Sequence, residues 1–236
     1  MNYGEFIPLI ECEINRSRVG DFYNKNSTVY DCDTGEVTDF LQLFDKGESN
    51  KVFCSKTLKH RPSITILGDS NFVFIGKGCK LANLKIKINS SNNFVFIGNK
   101  VTTNGNNRYI IGDCFNDQTA LIINEDAMFA TDVNIRTADG HPILDVATGS
   151  ISNKSKKPLV LGSHVWVGEG VRILKSTSIP SCSIISSGAV VTGVFDTAAV
   201  FKGNPATAFS LGDKVWARDS SKHAHESALK YYYGSV

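Results

Sequence analysis

The chain has 236 residues, 42% of them hydrophobic, which suits a folded protein with one large domain or two small ones and excludes a disordered chain. Its 25 Lys plus Arg nearly cancel 23 Asp plus Glu, so nucleic acid is not an expected partner. The start, MNYGEFIPLIECEINRSR, lacks a signal-peptide pattern and no later apolar run reaches the ~20 residues of a membrane span, so the expected location is cytoplasmic, with no membrane span.

Residues 1–60 show no regular period, and TDFLQLFDKG (Thr38 to Gly47) reads as a short capped helix. This segment is expected to cap the domain that follows it, residues 61–210. Within that domain NFVFIG occurs at Asn71 to Gly76 and again at Asn93 to Gly98, twenty-two residues apart, and YIIGD follows at Tyr109 to Asp113. Irregular turns are expected between Ile64 and Asp132. From Leu161 the pattern tightens, since Leu161, Val167, Ile173, Ile179, Ile185 and Val191, in steps of six, are all aliphatic. With about a fifth of residues Ile, Leu or Val, six such hits have a chance on the order of one in ten thousand. The fifth place of each block is small or β-branched (Val165, Val171, Thr177, Ser183, Ala189), and the second includes Gly162 and Gly168.

A step of six fits neither a helix nor an alternating strand, but it suits a short strand plus a corner. Three such sides close a triangular coil of about eighteen residues, and stacked coils make a solenoid of parallel strands about 4.8 Å apart. Between Ile143 and Leu159 the repeat is interrupted by a polar insertion, residues 144–158, with Lys154, Lys156 and Lys157. Residues 211–236 form an extended tail carrying Trp216, Arg218 and the run Tyr231 to Tyr233, rings that could stack on sugars or on neighbouring subunits. The six cysteines, Cys12, Cys32, Cys54, Cys79, Cys114 and Cys182, have no C-x-x-C spacing and read as buried thiols.

DGHP (Asp139 to Pro142), VWVGEG (Val165 to Gly170) and FKGNPA (Phe201 to Ala206), in this order on a hexapeptide background, resemble the hexapeptide-repeat acyltransferases. Within them IRTADGHPI, LGSHVWVGEGVRILKSTSIP and the VWAR of the tail look most like bacterial O-acetyltransferases of capsular or polysialic polysaccharide. The match is dense from Asp132 to Ala206 and absent before Ile64. The resemblance implies an all-β, left-handed parallel β-helix, a homotrimer, acetyl-coenzyme A as acetyl donor and a polysaccharide acceptor.

Acetyl transfer to a hydroxyl needs a base, a donor to the tetrahedral oxyanion and a groove for the thioester. His141 matches the catalytic histidine of these enzymes, and an imidazole titrates near working pH. Pro142 helps to end strand pairing there, leaving the ring free to face a cleft. Asp139, two residues earlier, either orients the ring or only makes an Asp-Gly turn. Trp166 either lines the transfer site or packs at a subunit seam. Glu169, Ser187 and Pro205, eighteen residues apart, would stack in one column if the last coil keeps register, with backbone amides at Gly168, Ser187 and Gly188 beside a pantetheine arm. The family's coenzyme contacts fall near these positions and at Thr192, Asn204 and Pro205. Gly193 and Thr207 stand where the family often has basic residues, a gap that Lys202 either compensates or, as a plain surface lysine, does not.

The lysine-bearing insertion either walls an acidic acceptor or is merely solvated. No serine or cysteine flanks His141 in a nucleophile motif, so direct transfer is expected. His60, His164, His223 and His225 lack the spacing of a zinc site, and no metal is expected. Two alternatives stay open: an N-acetyltransferase of a nucleotide-linked amino sugar, and a non-catalytic glycan-binding β-helix.

Overall fold

The computed structural model describes residues 28–35 and 41–234. Its strands form three parallel sheets of seven, the three sides of a solenoid. Sheet A stacks β1 (Thr28–Asp31), β3 (Lys51–Cys54), β5 (Phe72–Ile75), β8 (Phe94–Ile97), β11 (Ala120–Ile123), β14 (Leu159–Leu161) and β17 (Ser178–Ile179). Sheet B stacks β2 (Gln42–Asp45), β4 (Ser63–Ile66), β7 (Lys85–Ile88), β10 (Arg108–Ile111), β13 (Asn134–Arg136), β16 (Arg172–Ile173) and β19 (Val190–Val191). Sheet C stacks β6 (Lys80–Ala82), β9 (Thr102–Asn104), β12 (Met128–Phe129), β15 (Trp166–Val167), β18 (Ile184–Ile185), β20 (Ala199–Gly203) and β21 (Ala206–Ser210). Among the described strands, β20 and β21 are the pair that runs antiparallel.

The six-step aliphatics point inward as the period requires, and Leu161, Val167, Ile173, Ile185 and Val191 are fully buried. So are the fifth-place residues Val165, Val171, Thr177, Ser183 and Ala189, because a narrow coil has room for one large and one small side chain per edge. Burying each large aliphatic contributes about 1.5–3 kcal/mol of transfer free energy. The eighteen-residue step holds where Trp166 pairs with Ile184. Below it the coils are longer: Phe72 pairs with Phe94 across twenty-two residues, and Phe94 with Ala120 across twenty-six. The extra residues lie at corners that turn through left-handed backbone at Ser70, Asn92 and Gln118.

The two copies of NFVFIG stack in register. Val73 and Ile75 enter the core with Val95 and Ile97, whereas Phe72 stacks on Phe94 and Phe74 on Phe96 along the outside of sheet A. The leading asparagines form a buried ladder: Asn50 Oδ1 accepts the Asn71 amides at 2.8 and 3.0 Å, and Asn71 Oδ1 accepts the same pair from Asn93.

Four expectations are corrected. The helix expected at Thr38 to Gly47 is strand β2 over Gln42–Asp45, which pairs with β4; its remaining residues 38–40 lie outside the described set. The i, i+3 spacing of Leu41 and Phe44 in LQLF imitates one turn of helix, but the next coil offers its backbone a ladder. The solenoid itself begins well before Ile64, because β1, β2 and β3 already belong to sheets A and B. The capping reading for the stretch before Thr28 falls outside the described residues. The tail is not extended: after the β20–β21 hairpin, Lys222–Gly234 forms helix α1, with Ser221 Oγ accepting the Ala224 amide as its cap. Of the cysteines, Cys114 is exposed while Cys32, Cys54, Cys79 and Cys182 are buried, and Cys12 is not described. Burial pushes the Cys79 thiol up to about 12, which leaves it inert as a nucleophile.

Candidate active site

His141 follows β13 at the point where the chain leaves sheet B. Its backbone is held from both sides. Asn153 Nδ2 donates to the His141 carbonyl at 2.9 Å, and Asn153 Oδ1 accepts the Ile143 amide at 2.8 Å, so one side chain spans the Pro142 step. One residue earlier, the Gly140 amide donates at 2.8 Å to Oδ2 of Asp113, a buried residue from the coil below. Gly140 sits at φ +95, which a residue with a Cβ would adopt only under strain. The imidazole itself is exposed and, among the described residues, makes no hydrogen bond. A fixed backbone with an uncommitted ring is what a base awaiting a substrate hydroxyl requires.

Asp139 does not orient that ring. Its Oδ2 accepts from Lys175 Nζ and from Asn153 Nδ2 at 2.8 Å, and Lys175 also donates to the Asn153 carbonyl. Burial pushes the Asp139 carboxyl up, but the Lys175 and Asn153 bonds outweigh it and hold the group below the ordinary carboxylate range. Asp139 thus positions the insertion rather than the imidazole. Neither Asn153 nor Asp113 carries a motif signal, since their bonds span twelve and twenty-seven residues.

The insertion is an arm, closed by a bridge between Leu144 and Ile151 and a turn at which Asp145 accepts both the amide and the hydroxyl of Thr148. Its flank carries Lys154, Lys156 and Lys157, all exposed. Its first limb nevertheless exposes apolar side chains: Ile143, Leu144 and Val146 are exposed by 60%, 57% and 101%.

Trp166 lies on the outer face of sheet C, 39% exposed, with its ring 6.1 Å from that of Trp216. Trp216 was expected as an exposed platform, and it is instead 6% exposed. It stacks on His164 at 4.0 Å, and its Nε1 donates to the His164 carbonyl. His164, a residue that the sequence distinguished only by excluding it from a zinc site, is the centre of a clamp. Nδ1 meets Asp126 Oδ2 at 2.7 Å, Nε2 meets the Trp216 carbonyl at 2.8 Å, and Tyr231 of α1 stacks on the same ring at 4.9 Å. Arg218 donates to the other Asp126 oxygen and to Thr102. Burial pushes the Asp126 carboxyl up, yet the His164 and Arg218 contacts prevail and lower it. Trp216 therefore holds the tail on the solenoid.

The coenzyme column holds for one step and then breaks. Gly168 passes so close to the next coil that an added Cβ would lie 2.6 Å from the Ser187 nitrogen, so only glycine fits. Glu169 and Ser187 are exposed along that edge. The amides of Gly168 and Gly188, however, already donate to Ile185 and Glu169 carbonyls. Above Ser187 the register shortens, because Ile184 pairs with Val200 sixteen residues on, which sets Gly203 rather than Pro205 over Ser187. Pro205 instead turns the β20–β21 hairpin with Asn204, and Lys202 lies over the Phe209 ring at 4.0 Å. Thr192, Lys202, Asn204 and Pro205 are all exposed.

Among the described residues one group, Asp31, Cys32 and Asp33, brings potential metal ligands together. Its carboxylates are engaged by Lys56, Thr34, Ser55 and Lys77. No described helix is long and apolar enough to cross a membrane.

A parallel solenoid built on hexapeptides, with a pinned DGHP turn and a glycine-bordered edge, defines the class of hexapeptide-repeat acyltransferases. No family model matches the chain. It is 30% identical over 152 residues to a polysialic acid O-acetyltransferase of Neisseria meningitidis, covering 56% of this chain and 68% of that one. It is also 31% identical over 139 residues to a polysialic acid O-acetyltransferase of Escherichia coli, covering 58% and 43%. The chain belongs to the family of these O-acetyltransferases. Among solved structures, the polySia-specific acetyltransferase NeuO aligns over 82% of this chain and 99% of its own at 25% identity and TM-score 0.56. The polysialic acid O-acetyltransferase OatWY shares the fold with TM-score 0.69 over 88% and 96% at 24% identity.

Proposed function

We propose that this protein transfers an acetyl group from acetyl-coenzyme A to a hydroxyl of an acidic capsular polysaccharide, polysialic acid or a close analogue, in the cytoplasm. The observation that carries the reading is His141, pinned through its backbone and free at its ring, in a member of a family whose named relatives acetylate polysialic acid. The imidazole takes the hydroxyl proton as the oxygen attacks the thioester carbonyl, and returns a proton to the leaving thiolate. No enzyme-bound acetyl group is needed. The Gly168 to Gly188 edge, with Glu169 and Ser187 exposed, receives the pantetheine arm, and Thr192, Lys202 and Asn204 lie toward the nucleotide end. Lys154, Lys156 and Lys157 face the acceptor carboxylates. No metal takes part.

The working unit is a homotrimer. Within one protomer His141 leaves from sheet B, whereas Trp166 stands on the outer face of sheet C, so the two face different sides of the solenoid. A neighbouring copy brings one such face to the other, and the exposed Ile143, Leu144 and Val146 of the arm give that neighbour something to bury.

His141→Ala is expected to lower turnover by roughly a hundredfold or more, the usual worth of a positioned base, while melting temperature and acetyl-coenzyme A affinity stay near those of the unaltered protein. Equal loss of coenzyme binding would make His141 structural. A nucleotide-linked amino sugar acetylated faster than any acidic polymer would replace O-transfer by N-transfer.

A further inference from the structure

The outer faces of the three sheets differ sharply in chemistry. Sheet A presents Phe53, Phe74, Phe94 and Phe96, a packed aromatic cluster. Sheet C presents one column that runs from Lys80 through Thr102 and Met128 to Trp166 and Ile184. Sheet B presents cations. Lys85 and Lys87 on β7, Arg108 on β10, Arg136 on β13 and Arg172 on β16 all point outward from four consecutive coils and are exposed.

Register places them in two columns. Lys85 pairs with Arg108, Arg108 with Asn134 and Asn134 with Arg172; beside them, Lys87 pairs with Ile110 and Ile110 with Arg136. No outward position from β4 to β16 in this sheet holds an acid. None of the five cations ion-pairs with a described residue. Lys85 and Arg108 lie directly opposite each other on adjacent strands, where like charges repel, so that pair costs stability in the free protein. The second column ends beside the candidate active site, since a methyl group at Gly140 would lie 3.3 Å from Arg136 Nη2.

We propose that the outer face of sheet B is a track for an anionic polysaccharide strand, which runs along the solenoid axis over Lys85, Lys87, Arg108 and Arg172 and reaches the His141 turn at Arg136. The stripe covers three strand steps, about 14 Å, too long for one carboxylate and suited to a polymer with one on each sugar. This rests on the acceptor reading above and adds to it: affinity should depend on chain length, and the remote cations should serve only acceptors long enough to reach them.

The test is binding of a sialic-acid polymer and of its two- to three-sugar fragments to the full chain, without acetyl donor, by fluorescence anisotropy at several salt concentrations. Combining Lys85→Gln, Lys87→Gln and Arg108→Gln, all distant in sequence from His141, is expected to weaken polymer binding roughly tenfold at low salt and to flatten its salt dependence. Fragment binding should change far less, and Lys85→Arg, Lys87→Arg and Arg108→Lys together should restore the polymer. Unchanged polymer affinity in the glutamine variant would overturn the track, as would tighter binding of a single-stranded oligonucleotide of matched charge. Polymer bound with the expected dependence but never acetylated would remove the functional reading and leave the track standing. Acetylation of a polymer that the glutamine variant binds normally would do the reverse.

Discussion

Asn153 accepts from one side of Pro142 and donates to the other, and that double contact fixes where His141 can point. Its removal leaves the imidazole in place but lets the turn move. A misplacement of about 1 Å in a reacting group can cost up to a hundredfold in rate, so Asn153→Ala is expected to lower turnover by about ten- to a hundredfold. Because Asn153 is only partly buried and ties the arm to the turn rather than packing in the core, the melting temperature should fall little. Steady-state kinetics beside a melting curve checks this, and parallel losses in both would show that Asn153 only stabilises the fold. His141 was legible in the sequence because DGHP is local and chemically loaded. Asn153 and Asp113 were not, since an asparagine twelve residues on and an aspartate in the coil below acquire a role only when the chain is stacked.

The tail clamp belongs to the scale of elements, because one buried histidine joins the corner before β15 to α1. Both ring nitrogens of His164 face acceptors, Asp126 and the Trp216 carbonyl, and Asp126 is itself held by Arg218. Asp126→Ala removes the carboxylate from a buried pair and should destabilise the protein by roughly 3–5 kcal/mol, visible as a lowered urea midpoint. The pH dependence has a definite sign. The Asp126 carboxyl is lowered in the folded protein from 3.8, so its stabilisation is complete above the unfolded value and is lost as pH falls through the lower folded one. Acidification below the ordinary carboxylate value should therefore progressively weaken the docking of α1, with Trp216 fluorescence shifting toward that of an exposed indole as the tail lets go. Docking that stays equally stable at every acid pH would contradict this. The same scale explains what the sequence revealed of the fold. The six-step run after Leu161 was readable because those coils have corners of constant length, as at Trp166 and Ile184. The coils below hid their period behind left-handed corners of variable length, and β2 read as a helix because its partner β4 lies twenty-one residues away. Trp216 read as a surface ring because nothing local announces that His164 will lie beneath it.

For the whole molecule, the solenoid carries three chemically distinct faces. The aromatic face of sheet A is closed, the cationic face of sheet B leads to His141, and the face of sheet C bears Trp166. If the reaction needs both residues, His141 must come from one protomer and Trp166 from the next, which gives a trimer three sites that each draw on two chains. Complementation tests this directly. His141→Ala and Trp166→Ala proteins, each nearly inactive alone, are unfolded together in equal amounts and refolded. In a random trimer a site is intact only when the chain that supplies the imidazole carries the tryptophan lesion and its neighbour carries the histidine lesion. That combination occurs at about one site in four, so the mixture should recover about a quarter of normal activity, and cyclic closure makes this fraction independent of which neighbour is counted first. Sedimentation of the refolded mixture should give a trimer throughout. Activity that stays at the level of the two separate variants would place both residues in one protomer's site.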